Sequence, residues 1–229
     1  MTRKTLAVLF LVGVNAIPLV GVIFYDWNLF SIMFLYWFEN GIIGFFNVFK
    51  IARAGKPSAG TNLTINGRPS NLSGAVFYVP FFIAHYGIFW VVHGVFVIVL
   101  FGLFGGQPFG GVGPPEIMGG FRGFEPGGVA IAALSLFLSH GVSFYVNFLG
   151  NEEYLNVSPD EQMFQPYGRV IALHVTILGG GFLAGYLGTP LASLVLLIVL
   201  KTAIDIWAHL REHRKAESRS ADPAPGQIR

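Results

Sequence analysis

The sequence predicts an all-α integral membrane protein, a bundle of six transmembrane helices with both termini cytoplasmic. Three observations predict it. Of the 229 residues, 53% are hydrophobic and only 11% are charged, whereas a soluble domain carries about 25% charged residues. Six apolar runs of bilayer-crossing length stand at about 5–24, 29–51, 75–104, 129–149, 169–187 and 191–211. Basic residues gather outside alternate ends of those runs: Arg3 and Lys4 before the first, Lys50, Arg53, Lys56 and Arg68 around the second loop, and Arg211, Arg214, Lys215 and Arg219 after the last. Lys and Arg mark the cytoplasmic side, so both ends of the chain face it. A chain of this length is one bundle, 1–213, followed by a Pro/Ala/Ser-rich tail, 214–229, with the composition of a disordered segment.

The same numbers exclude whole classes of function. With no cysteine, disulfides, thiolate metal sites and cysteine nucleophiles are ruled out. A net charge of +2, spread as membrane topology requires, leaves no basic stripe for nucleic acid. The expected partner is the lipid bilayer, with a homo-oligomer or a membrane complex as the expected assembly.

Each element has its own signal. The first run has a basic leader but no small-residue cleavage pattern and the length of a span, so it is read as a retained helix. Tyr25-Asp-Trp-Asn28 is an interfacial turn. The second run carries Glu39, Asn40 and Asn47, the two asparagines on one face. Ala52 to Gly74 is a polar Gly/Pro/Asn-rich loop. The third run, unusually long, holds Pro80, His85, Trp90 and His93, and its length predicts tilt or a kink at Pro80. Gly105 to Gly128 is an external Gly/Pro-rich segment that caps the bundle or moves freely. In the fourth run His140, Ser143 and Asn147 form a polar stripe at i, i+3 and i+7. Ser158-Pro-Asp-Glu161 has the capping-box arrangement and predicts a short interfacial helix before the fifth run. The fifth run carries His174 and Gly179-Gly-Gly181, and the sixth places Lys201, Asp205 and His209 on one face at spacings of four. Trp37 and Trp90 are expected to pack helices together.

Glu39 is the residue around which function is expected. A charge in hydrocarbon costs several kcal/mol, so an intramembrane carboxylate faces protein and has a task. Counting inward from the cytoplasmic end of each run puts His85 and His140 at roughly 13 Å, Glu39 at roughly 18 Å and Lys201 at roughly 15 Å. His174 and Asp205 fall at roughly 9 Å, His209 at roughly 3 Å, and His93 lies apart, nearer the external side. Five helices thus present ionisable groups in one layer.

Imidazole and carboxylate in one layer make a metal site the preferred reading: zinc or iron on His85, His140, His174 and Asp205, with Glu39 as general base or fourth ligand. Asn40, Asn147, Lys201 and His209 stand as supporting residues. An open coordination position would activate water against a lipid-like or amide carbonyl. The same residues also fit a proton- or ion-coupled transporter, as a relay. Two further readings are a haem held between His85 and His140, and a structural subunit in which the polar groups are interhelical glue.

Two resemblances bear on this. Asp205-x-x-x-His209 is loosely similar to the last helix of intramembrane zinc hydrolases of the ceramidase and progestin-receptor-like type, although those have seven spans and a paired-His last helix. Tyr36-Trp-Phe-Glu-Asn40 with Asn47-Val-Phe-Lys50, and Lys201-Thr-Ala-Ile-Asp205 with His209-Leu-Arg-Glu-His213, resemble a prokaryotic integral membrane family of unknown function. That second resemblance implies a bacterial or archaeal inner (cytoplasmic) membrane and supplies no activity.

Overall fold

The computed structural model describes residues 24, 27–56, 64–65, 68–69, 72–104 and 118–187. The expectations for the first span before Phe24, for the sixth span and for the tail lie outside the described residues, and with them Lys201, Asp205 and His209. The described chain is helical apart from one antiparallel ladder of two residues a side, Thr64–Ile65 (β1) with Arg68–Pro69 (β2). Among the described residues three helices are long and apolar enough to cross a membrane: Leu29–Arg53, Gly74–Leu103 and Pro126–Gly150.

The first of them, α1 (Leu29–Arg53), is the hub. Its start is fixed by Asn28, whose Oδ1 accepts the Ser31 backbone N–H and the Ser31 hydroxyl, both at 2.9 Å. The Asn28 Nδ2 group donates to the backbone oxygens of Gly120 at 2.7 Å and Arg122 at 2.8 Å. One side chain therefore begins the helix and ties down a distant strap. In the last turn Lys50 and Arg53 complement the negative end of the helix dipole, and they lie over the rings of Phe148 (5.2 Å) and Tyr154 (4.8 Å). Leu29, Phe30, Ile32, Met33, Leu35 and Tyr36 are all buried, which makes the N-terminal half of α1 the centre of the main core.

Next comes α2 (Leu72–Phe96), which runs on through Pro80. Pro80 sits on the exposed face. Beyond Phe96 the helix passes into seven residues of π-helix, Val97–Leu103. The change of pitch in this long element thus comes at Val97, where the expectation centred on Pro80. A strap over residues 118–125 covers this end. Its Met118 N–H donates to Leu103 O at 2.7 Å, and Phe121 meets Phe30 edge-on at 4.7 Å. Gly120 is pressed onto the Phe101 backbone, with no room for a Cβ. Of the Gly/Pro-rich segment, residues 118–125 thus cap this end of the described helices.

The third long helix, α3 (Pro126–Ser143), also ends in π-helix, Phe144–Gly150, and faces outward over nearly all of its length. The short α4 (Pro159–Phe164) has the predicted capping box, with the Ser158 N–H donating to Glu161 Oε2 at 3.2 Å. It wedges under α1 and α2. Gln162, 2% exposed, donates from Nε2 to Asn47 Oδ1 at 2.7 Å and accepts from Asn47 Nδ2 on its backbone oxygen at 3.3 Å. Met163 packs in one cluster with Ile51, Phe82 and Tyr86. Because α4 fills that wedge, α5 (Tyr167–Leu187) begins level with His85 and not with the first residue of α2.

Candidate functional site

The seams of α1 with α2, α3 and α5, and the seam of α2 with α5, hold the polar groups. At the cytoplasmic-expected end, the Tyr167 hydroxyl lies 2.7 Å from Nδ1 of His85, whose ring stacks on Phe81 at 5.4 Å. Beside it the Tyr86 hydroxyl donates to the backbone oxygen of Asn40 at 2.9 Å, within electrostatic reach of Arg169, Tyr167 and Glu39. Asn40 donates to Tyr36 O at 2.9 Å, and its buried Oδ1 accepts nothing. A buried acceptor of that kind is open to a donor from water or a ligand.

Glu39 joins three helices. Its Oε1 is 3.5 Å from Nε2 of His140 on α3 and 3.7 Å from Nη1 of Arg169 on α5. Side-chain exposure is 14% for Glu39, 26% for His140 and 54% for Arg169, so the carboxylate is the most enclosed of the three. Both separations are longer than a typical direct hydrogen bond and within ion-pair reach. Farther along the α2–α5 seam, Nε2 of His93 lies 2.9 Å from Nδ1 of His174.

Between these levels the Trp37 and Trp90 rings stack at 4.5 Å and 9°. Each indole N–H donates across to the other's backbone oxygen, Trp37 to Trp90 O at 2.7 Å and Trp90 to Trp37 O at 3.1 Å. Glycine one turn on makes the space: a Cβ on Gly41 would lie 2.8 Å from Trp90, and one on Gly94 2.7 Å from Trp37. The repeated pattern Trp-x-x-x-Gly on successive helices is legible in the sequence as this clasp.

The sequence-predicted residues are thus distributed among pairs. His140 is with Glu39, His85 with Tyr167, and His174 with His93. Asn147 is exposed and donates to Ser143 Oγ at 3.2 Å within its own helix. Among the described residues no three His, Asp or Glu side chains come together; Asp205, Lys201 and His209 lie outside them. Sequence reasoning passed over Arg169, Tyr86, Tyr167 and Gln162, and set His93 apart by depth. The depth count gave α5 the same starting plane as α2, whereas the α4 wedge moves α5 inward and brings His174 level with His93.

No curated protein and no solved structure matches the chain. The model of a Family of unknown function (DUF6498) matches residues 1–222. The chain belongs to that family.

Proposed function

We propose that this is a multi-pass protein of a bacterial or archaeal inner membrane that handles protons, a proton-coupled transporter or channel in which Glu39 is the working carboxylate. The observation that carries the proposal is the position of Glu39, enclosed between an imidazole from one helix and a guanidinium from another. A carboxylate so placed exchanges partners as its charge changes. Protonated, it releases Arg169 and His140, and the three helices that meet there lose their common tie. Tyr167–His85 and His93–His174 are themselves proton donors and acceptors, both on the α2–α5 seam.

What favours the relay over a zinc or iron centre is the partnering of the imidazoles. A metal on His85, His140 and His174 needs them to converge, and each has a different neighbour. The test is reconstitution into liposomes loaded with a pH-sensitive dye, with a potassium diffusion potential as driving force. Wild-type protein is expected to carry protons and Glu39→Gln to lose at least tenfold of the rate while keeping its helical signal. Zinc or iron at one equivalent in the same preparation, lost in His140→Ala, with no proton flux, would overturn the proposal in favour of the metal centre.

A further inference from the structure

The His93–His174 contact has a direction that the surrounding atoms dictate. Nδ1 of His93 lies 2.6 Å from the backbone oxygen of Phe89, one turn back on α2. A carbonyl oxygen only accepts, so that nitrogen carries a hydrogen. In a neutral imidazole the other nitrogen is then bare. Nε2 of His93 is therefore the acceptor in the 2.9 Å contact, and the donor is Nδ1–H of His174. His174 must in turn leave its own Nε2 without a hydrogen. His93 is 3% exposed, while His174 is exposed.

We infer that Nε2 of His174 is a proton-accepting atom of this protein and that His93 is the positioning residue that fixes its tautomer. The inference rests on the proton-handling reading and names a second site for it, distinct from Glu39. A proton arriving at Nε2 of His174 gives an imidazolium whose Nδ1–H bond to His93 becomes charge-assisted and stronger. Shifting that Nδ1 hydrogen onto Nε2 of His93 moves the positive charge to the buried ring, whose Nδ1–H still holds Phe89 O, and leaves His174 neutral with its hydrogen on Nε2. In either form the pair has gained one proton and no other bond has changed. A second proton has no place, because Nδ1 of His174 and Nε2 of His93 would both carry hydrogens pointing at each other across 2.9 Å. The pair takes up one proton, not two, for as long as the rings stay in contact.

Among the described residues, other charges do not dictate this arrangement. α5 packs against α1, α2 and the π-helical continuation of α2. The titratable or charged side chains on those elements are Tyr36, Glu39, Lys50 and Arg53 of α1, Tyr78, His85 and Tyr86 of α2, and Tyr167, Arg169 and Tyr186 of α5 itself, with none on Val97–Leu103. Glu39, the carboxylate of that set, stands against His140 and Arg169.

The experiment is nitrogen NMR on full-length protein labelled with 15N at histidine, in lipid bilayers, where hydrogen-bearing and bare ring nitrogens resonate far apart. Comparison with His174→Gln assigns the signal. Above neutral pH, wild-type His174 is expected to show a hydrogen on Nδ1 and a bare Nε2, and in His93→Gln a share of His174 is expected to move to the Nε2–H form. Acidification should add one hydrogen to the pair. A wild-type His174 with Nε2–H above neutral pH, or a pair that takes up two protons together, overturns the inference, and the wild-type spectrum suffices should His93→Gln not fold. Proton flux measured on the same samples separates the two proposals: flux lost in Glu39→Gln with the wrong His174 tautomer refutes the dyad alone, and absent flux with the expected tautomer refutes the proton-handling role.

Discussion

Gly94→Ala probes the Trp37–Trp90 clasp that holds α1 to α2 at the level of the site. The added Cβ would stand 2.7 Å from Cε2 of Trp37, a ring that is stacked and hydrogen-bonded and so has nowhere easy to go. If the ring stays, the overpacking strain is about 1–3 kcal/mol. If it moves, it gives up a hydrogen bond of about 1 kcal/mol and stacking of about 0.5–1.5 kcal/mol. Either way the cost is about 2 kcal/mol. Gly41→Ala, 2.8 Å from Trp90 Nε1, is expected to cost the same. The pair of substitutions should cost less than the sum by about 1 kcal/mol, since one separation of the rings relieves both. Gly87 is the internal control. It lies on the same helix as Gly94, and a Cβ there meets nothing within 4 Å. Replacing a helical glycine with alanine then gains about 0.5–1 kcal/mol from backbone entropy. Equilibrium unfolding in mixed micelles with rising dodecyl sulfate, followed by circular dichroism, measures all four variants. Equal midpoints for Gly94→Ala and Gly87→Ala would refute the clasp.

Three other perturbations have defined outcomes. Asn47→Ala and Gln162→Ala each strand a buried polar partner and are expected to cost about 1–3 kcal/mol, with a coupling energy above about 0.5 kcal/mol in a double-mutant cycle, read by the same unfolding assay; simple additivity would mean the α4 wedge is not held there. Ser158→Ala should cost about 1 kcal/mol through the lost cap and speed amide hydrogen exchange over α4, whereas unchanged exchange would leave the capping box without a role. Arg169→Leu should destabilise the bundle more than Glu39→Leu, because losing the guanidinium strands an enclosed carboxylate, whereas losing the carboxylate leaves a guanidinium that is more than half exposed and reaches water; the reverse order in micelle unfolding would contradict the burial argument.

How much of this was readable beforehand depends on whether the signal was local. The three described long helices begin and end within a few residues of where their apolar runs do, because hydrophobic length and the flanking Asn28 and Pro126 are local facts. The helix over Pro159–Phe164 follows from four adjacent residues and was equally legible. Glu39 stood out because a carboxylate inside an apolar run is expensive wherever it points. Its partners were harder. His140 was placed in the same layer, but Arg169 looked like the edge of a span and nothing in its surroundings says that it reaches Glu39 across 130 residues. The depth count failed for His93 and His174 for a geometric reason: α4 lifts the start of α5, and no run of sequence records the offset between two helices. The π-helical turn at Val97 is likewise silent, since Val-Ile-Val-Leu reads as plain apolar helix.

The protonation of Glu39 itself can be watched by infrared difference spectroscopy. Protein in bilayers is stepped across the pH range over which flux appears, and wild type is compared with Glu39→Gln. A protonated-carboxyl band that rises on acidification in step with the flux, is missing in Glu39→Gln and shifts in Arg169→Gln is the expected result. A carboxylate that keeps one charge state throughout that range, or a band unchanged by Glu39→Gln, would mean that Glu39 only ties the three helices together.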